Sequence, residues 1–235
     1  MVAAAPRIWV TRASPGAEET AARLAAMGLP PLVDPLLAVV PLSPSIDLDG
    51  VAAMTFTSVN GVEAFARLCA ARSLPVFAVG ERTARAAREA GFGEVVSADG
   101  DVSALAALIV GQAAQIDGAV LHASAREPAG DLVSPLVAAG LAVRRVAVYE
   151  TVERDPEPAT LAQLGTMAAV LLHSPRAAAK LARVLEARPA PRLRALCLSP
   201  SVAVALGTAE QDGRLASVVS APHPSETALL DLLTV

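Results

Sequence analysis

The chain has 235 residues, of which 54% are apolar and only 3% aromatic, with a formal net charge of -4. The acidic balance argues against non-specific nucleic-acid binding, and no apolar run approaches the ~18 residues that a membrane helix needs. Residues 1–6 have no basic region or long apolar stretch of a signal peptide, so a soluble cytoplasmic protein is expected.

In chain order, short apolar runs fall at residues 7–10, 53–56, 76–79, 94–96, 119–121, 169–172, 195–198 and 217–219. Each is too short for a helix and is bounded by polar or small residues, as expected of a strand buried on both faces. Alanine-rich amphipathic stretches follow several of them, at 18–27, 62–71, 83–90, 177–187 and 225–233. Gly28 and Gly91 stand where a helix C-cap belongs. The alternation predicts βα units, hence parallel sheets covered by helices. Cys69 and Cys197 have apolar neighbours and no metal-ligand spacing, so both read as buried structural thiols in a reducing compartment. His122, His173 and His223 have no ligand spacing either, and no metal site is expected.

Two stretches break the alternation. Residues 32–42 (LVDPLLAVVPL) and 145–153 (RVAVYETVE) read as extended runs, and proline-rich segments follow them at 41–44 and 156–158. Extended runs flanked by proline suit a paired two-stranded connector.

The chain also repeats itself. Residues 54–62 (MTFTSVNGV) are echoed by 170–178 (VLLHSPRAA), 77–84 (FAVGERTA) by 196–203 (LCLSPSVA), and the tripeptide VSA at 96–98 by 219–221. Upstream, 8–12 (IWVTR) and 24–28 (LAAMG) match 119–123 (AVLHA) and 136–140 (LVAAG), so the offset drifts only from 111 to 123. One duplicated unit accounts for this drift. It predicts two similar α/β domains with a ligand cleft between them. Residues 1–35 plus 155–235 would form a discontinuous first domain and 45–145 the second, with 36–44 and 146–154 as connector strands.

Candidates for chemistry lie at the strand C-termini, where helix N-termini present free amides. Those turns carry Thr11-Arg12, Thr57-Ser58, Gly80-Glu81-Arg82-Thr83, His122-Ala123-Ser124, His173-Ser174-Pro175-Arg176 and Ser199-Pro200-Ser201. Taken singly, Ser58, Ser174 and Ser201 read as ordinary N-caps, worth about 1 kcal/mol each. The same serine at equivalent turns of both repeats points instead to a surface built for anions. Tyr149, the one tyrosine, reads on spacing alone as a packing residue of the connector before it reads as a catalytic acid.

The order TR, PLLAVVP, FTSVNGV, AVGERTARAA, VLHAS, VAVYETV, LLHSPRAA and LCLSPSVAVAL resembles the uroporphyrinogen-III synthase family over nearly the whole chain. The order and spacing carry the likeness, because each signature is short. The resemblance implies two α/β domains joined by a two-stranded ladder. It also implies conversion of linear hydroxymethylbilane to uroporphyrinogen III, with loss of water, inversion of the last pyrrole ring, and no cofactor or metal. The family tyrosine then falls on Tyr149, its glycine–threonine turn on Thr83, and its paired serines on Ser58 and Ser174. Val202 stands where many members have a second threonine, with Ser201 one residue earlier. Eight substrate carboxylates would suit Arg12, Arg82 and Arg176 at strand-end turns, together with Ser124 and Ser201. A monomer acting on a small-molecule polycarboxylate is expected, with neither nucleic acid nor membrane as partner. A non-catalytic synthase-like binding module is the competing reading.

Overall fold

The computed structural model describes residues 7–234; the expectation about a signal peptide at residues 1–6 lies outside them. The chain begins with β1 (Ile8–Val10), α1 (Gly16–Ala26), β2 (Pro31–Val33), β3 (Leu37–Pro41), β4 (Val51–Phe56), α2 (Val59–Leu68) and β5 (Val76–Ala78). It continues with α3 (Glu81–Glu89), β6 (Val95–Ser97), α4 (Val102–Gly111), β7 (Ala119–Ala125), α5 (Val133–Ala138) and β8 (Ala142–Glu153). The last third holds α6 (Pro158–Gln163), β9 (Ala169–Leu172), α7 (Pro175–Ala187), β10 (Arg194–Cys197), α8 (Pro200–Val204), β11 (Ser217–Ser220) and α9 (Glu226–Asp231).

Two sheets result, with strand orders β11-β10-β9-β1-β2 and β3-β8-β7-β4-β5-β6. β1 pairs in parallel with β2 and β9, and β10 lies between β9 and β11, also in parallel. In the second sheet β4 is flanked in parallel by β5 and β7, with β6 beyond β5 and β8 beyond β7. The fold is thus α/β with parallel sheets. By contact the chain divides into two compact units, one made of residues through Ala38 and from Val152 onward, the other of Val39–Thr151.

Each sheet is covered on both faces, and the alternation of side chains shows how. In the first unit Trp9, Val170 and Leu172 enter one core with Leu181 and Leu185 of α7. Their strand neighbours Ile8, Val10, Ala169 and Leu171 enter another with Leu24 of α1 and Leu229 of α9. In the second unit Met54, Phe56 and Leu121 pack on Val62 and Phe65 of α2, while Ala53 and Val120 pack on Leu105 and Ile109 of α4. Strands buried this way need continuous apolar sequence, which is why all eight apolar runs became strands. Helix ends follow local chemistry: Gly28 and Gly91 take left-handed φ of 73° and 95° just past α1 and α3.

Residues 32–42 do not form the single extended run expected from sequence. Pro31–Val33 belongs to the first sheet and Leu37–Pro41 to the second, and the chain breaks between them at Asp34. The break is pinned from both sides. Trp9 Nε1 donates to the Asp34 carbonyl at 2.8 Å, and the Glu157 amide donates to Asp34 Oδ2 at 2.8 Å. The second extended run also differs from expectation, because β8 starts at Ala142 and pairs in parallel with β7 as far as Tyr149. Four helices lacked a usable amphipathic pattern: α4 is apolar nearly all round, and α5, α6 and α8 span under two turns. Of the two thiols, Cys197 is fully buried and burial pushes its pKa up to about 12, whereas Cys69, at the end of α2, is only half-buried.

Asp34 is 3% exposed, so Asp34→Ala should strand the Glu157 amide and lower stability by about 1–3 kcal/mol. Asp34→Asn keeps an acceptor and should lose less than half of that. Urea midpoints of the two variants check the ranking; equal losses would mean that the amide bond is not what matters.

Candidate functional site

In the second unit, the turn from β4 into α2 is anchored from below. Phe56 at the end of β4, Phe65 on α2 and Phe92 after α3 form a ring cluster with centroids 5.8 to 6.3 Å apart. In so aromatic-poor a chain this cluster is the main large-side-chain anchor, each such pair adding about 0.5–1.5 kcal/mol beyond area burial. Arg72 lies over Phe92 and donates to the carbonyls of Ala66, Cys69, Ala71 and Ala90, satisfying the end of α2. At the other end Gly61 lets α2 approach β7, since a Cβ there would sit 2.9 Å from the Ala123 carbonyl oxygen.

This packing fixes Ser58. Its Oγ caps α2 by accepting from the Gly61 amide at 3.1 Å, and it lies 2.8 Å from the Tyr149 hydroxyl. Tyr149 reaches that position through a β-bulge. The register of β7 against β8 runs from Ser124–Ala147 directly to Ala125–Tyr149, which leaves Val148 as the extra residue. Tyr149 therefore faces the same core as Val146 and Val148, on the α2 side, instead of the opposite one. Bulges re-aim side chains in this way. The Tyr149 residue is 7% exposed, with its ring in the core and its hydroxyl on Ser58.

The other candidates of this unit lie around the same strand ends. Ser124, 1% exposed, donates to the Ala125 carbonyl at 3.0 Å, inside the bulge. Thr83 is the third residue of α3 and is buried, while its neighbour Arg82 is exposed. His122 is 1% exposed with Nδ1 unpartnered, and its Nε2 lies 3.5 Å from Thr57 Oγ1. Burial first, and the Arg145 charge second, push its pKa down to about 4, so it is neutral at physiological pH.

In the first unit Ser174 repeats the role of Ser58, capping α7 by accepting from the Ala177 amide at 3.2 Å. Ser201 does not. The cap of α8 is Ser199, and Ser201 is the second helical residue, exposed and 2.9 Å from Ser199 Oγ. Val202 is 2% exposed, as buried as its counterpart Thr83 at 5%, which explains why a side chain of the same shape without a hydroxyl fits there. Arg176 is exposed at the start of α7 and acts electrostatically on Glu153, whose carboxyl is held low first by Arg183.

Arg12 belongs to a cluster that sequence reasoning missed. Glu226, the first residue of α9, accepts from Arg12 Nη1 at 3.1 Å and from His173 Nε2 at 2.9 Å on Oε2, and from Thr20 Oγ1 at 2.5 Å on Oε1. A carboxylate only accepts, so the His173 proton sits on Nε2. Burial would raise the Glu226 pKa, but the bonds from His173 and Thr20 and the charges of His173 and Arg12 outweigh it and hold the group at about 2. Partners 206 and 214 positions away in the chain leave no local sequence pattern; an acid at a strand-end turn was the one available cue. Thus Ser58 and Tyr149 meet in one unit and Arg12, His173 and Glu226 in the other. Among the described residues no three or more His, Cys, Asp or Glu side chains are grouped to hold a metal ion, and no helix is long and apolar enough to cross a membrane.

A family profile described as uroporphyrinogen-III synthase HemD matches residues 18–231. The fold is similar to that of uroporphyrinogen-III synthetase from Helicobacter pylori 26695, with a TM-score of 0.69 and 17% identity over 97% of this chain and 98% of that one. It is also similar to a mutant uroporphyrinogen III synthase from the extremely thermophilic bacterium Thermus thermophilus, with a TM-score of 0.56 and 19% identity over 98% of both chains. At these identities the likeness is one of fold. No curated protein sequence matches the chain.

Two acid transitions, one from each unit, should be separable. A folded pKa of about 4 against 6.5 for His122 means that the unfolded chain takes up its proton first, so stability is present above pH 6.5 and lost as pH falls toward 4. The loss should be roughly 3 kcal/mol. Glu226 acts lower, with stability lost as pH falls from 4.5 toward 2. His122→Gln should flatten the upper window and leave the lower one, as read from unfolding free energy against pH. An unchanged slope between pH 6.5 and 4 would show that His122 is not the group responsible.

Proposed function

The chain belongs to the uroporphyrinogen-III synthase family, and we propose that the Ser58–Tyr149 pair is where it carries out that family's cyclisation. The reaction closes linear hydroxymethylbilane to uroporphyrinogen III, losing water and inverting the terminal pyrrole ring. The observation that supports the pair is its geometry: a phenol aimed by a bulge onto a serine hydroxyl at 2.8 Å, itself fixed by a helix amide. The Gly61 N–H occupies one lone pair of Ser58 Oγ, which leaves the Ser58 proton free to be donated to Tyr149 Oη. The phenolic proton is then available to a third group.

The chemistry needs one such donor. The pyrrole nitrogen pushes out the hydroxymethyl oxygen, the C–O bond breaks, and the Tyr149 proton leaves with that oxygen as water. The azafulvene cation that forms is attacked by the substituted α-carbon of the terminal pyrrole. The bond from that carbon to the preceding methylene then breaks and leaves a second azafulvene cation there. The free α-carbon of the turned ring closes on that methylene, and the proton it loses as the ring regains aromaticity restores the phenol. Electrons and protons balance without a cofactor, because the pyrrole supplies the push. General acid help of this kind contributes up to about 10²–10⁴-fold, and holding the chain in the inverting shape contributes the rest.

Binding falls to the strand-end turns. Arg12, Arg82 and Arg176 offer charge-assisted contacts to substrate carboxylates, with the hydroxyls of Ser124, Ser174 and Ser201 and the amides beside Thr83 as neutral donors. The matching caps of Ser58 and Ser174 support an internal duplication as the origin of the two units. Residues 36–44 and 146–154 serve as connectors between domains of 1–35 plus 155–235 and 45–145.

Freshly generated hydroxymethylbilane should give the type III isomer, identified as porphyrin after oxidation. Binding without acceleration would instead favour the non-catalytic module. Tyr149→Phe keeps the ring in its core and should slow turnover by roughly 10- to 1000-fold while the product stays mostly type III. Undiminished kcat in that variant would return Tyr149 to a packing role. Arg12→Ala and Arg176→Ala should raise KM with little change in kcat, and wild-type KM at low salt in both would remove the arginines from the binding surface.

A further inference from the structure

We infer that Glu226 is a positioning residue that, with the bare backbone of Gly16, presets Arg12 as a rigid carboxylate-binding fork, the His173 N–H helping to hold Glu226 in place. The inference rests on the reading of Arg12 as a substrate contact and deepens it. β1 and β9 are adjacent parallel strands; Arg12 lies two residues past the end of β1 and His173 immediately past the end of β9. Both donate to the same Glu226 oxygen, Oε2, at 3.1 and 2.9 Å. The second oxygen, Oε1, is tied at 2.5 Å to Thr20, which is itself fully buried. The carboxylate is therefore held on both oxygens and cannot swivel, so it orients its donors and is not oriented by them.

The opposite side of the guanidinium is held sterically. A Cβ on Gly16 would land on the Cζ, Nε and Nη2 atoms of Arg12, so the guanidinium lies flat on the start of α1. Gly16 and Thr20 are four residues apart on that helix, and thus on one face. Only Nη1 is committed to Glu226. Arginine has five N–H donors in a planar fork, so the fork keeps donors for a second carboxylate in a direction already set. The Arg12 side chain is 26% exposed and that of Glu226 21%, so the pair is reachable and still partly desolvated. Pre-organisation of this kind improves binding by removing the ordering that a free arginine would undergo when substrate arrives. Removing Glu226 should therefore weaken binding, although a carboxylate beside Arg12 repels the incoming one at long range.

The test uses two variants of the full chain with freshly generated hydroxymethylbilane. Glu226→Gln keeps the side-chain shape and removes the charge. Gly16→Ala suits a helix better than glycine and displaces only the end of a flexible side chain, so it keeps the fold even if Glu226→Gln does not. Both should raise KM at least fivefold, lower kcat by less than threefold, and leave the isomer ratio unchanged. A general loss of structure would lower kcat and would not produce that split. Wild-type KM in either variant overturns the inference, and a fall in KM for Glu226→Gln overturns it in favour of competition between Glu226 and substrate. Failure of the wild-type chain to form the type III isomer would count against the functional reading itself, which the wild-type control separates from both variants.

Discussion

A strand covered by helices on both faces has no flank on which to display a polar group. Its chemistry is confined to the residues just beyond its C-terminal end, where the next helix starts with unpaired amides. Three turns of this chain show the constraint. Ile8, Trp9 and Val10 are buried and Arg12 follows; Phe56 is buried and Ser58 follows; Leu172 is buried and His173 and Ser174 follow. At each turn the polar side chain is tied down at once, to a helix amide, to a carboxylate or to another hydroxyl. The cap Ser58 in one unit and the tied Arg12 in the other arise from the same rule.

Tyr149 is the residue that the rule alone would not deliver. In an unbroken strand it would face away from the side to which Val146 and Val148 point, and away from Ser58. The one-residue bulge at Val148 reverses that direction, so an aromatic ring can stay in the core while its hydroxyl stands at the edge. The ring cluster of Phe56, Phe65 and Phe92 completes the arrangement by holding α2 against β4, because Ser58 moves with α2. A core otherwise filled by Ala, Leu and Val concentrates its rigid contacts where two hydroxyls must stay within 2.8 Å.

What was legible in the sequence follows the same physics. Strands buried on both faces need unbroken apolar runs, so runs such as 169–172 and 76–79 announced themselves. The caps Ser58 and Ser174 depend on amides three residues away and were equally local. Ser201 was misplaced because two serines flank Pro200, and proline at the first helical position makes Ser199 the cap. The break at Asp34 was invisible because its cause, the Trp9 indole and the Glu157 amide, lies 25 and 123 positions away. Glu226 was missed for the same reason. The bulge depends on strand pairing, which composition and periodicity do not specify.

Ser58 and Tyr149 are proposed to act as one unit, the serine orienting the phenol and the phenol delivering the proton. A double-mutant cycle on kcat tests it most directly, with Ser58→Ala, Tyr149→Phe and the double variant turning over hydroxymethylbilane. If the pair is a unit, the double variant should be no more than about threefold slower than Tyr149→Phe alone, because the serine has nothing left to orient. If the two single effects multiply in the double variant, the residues act independently and the account of the donor pair is contradicted.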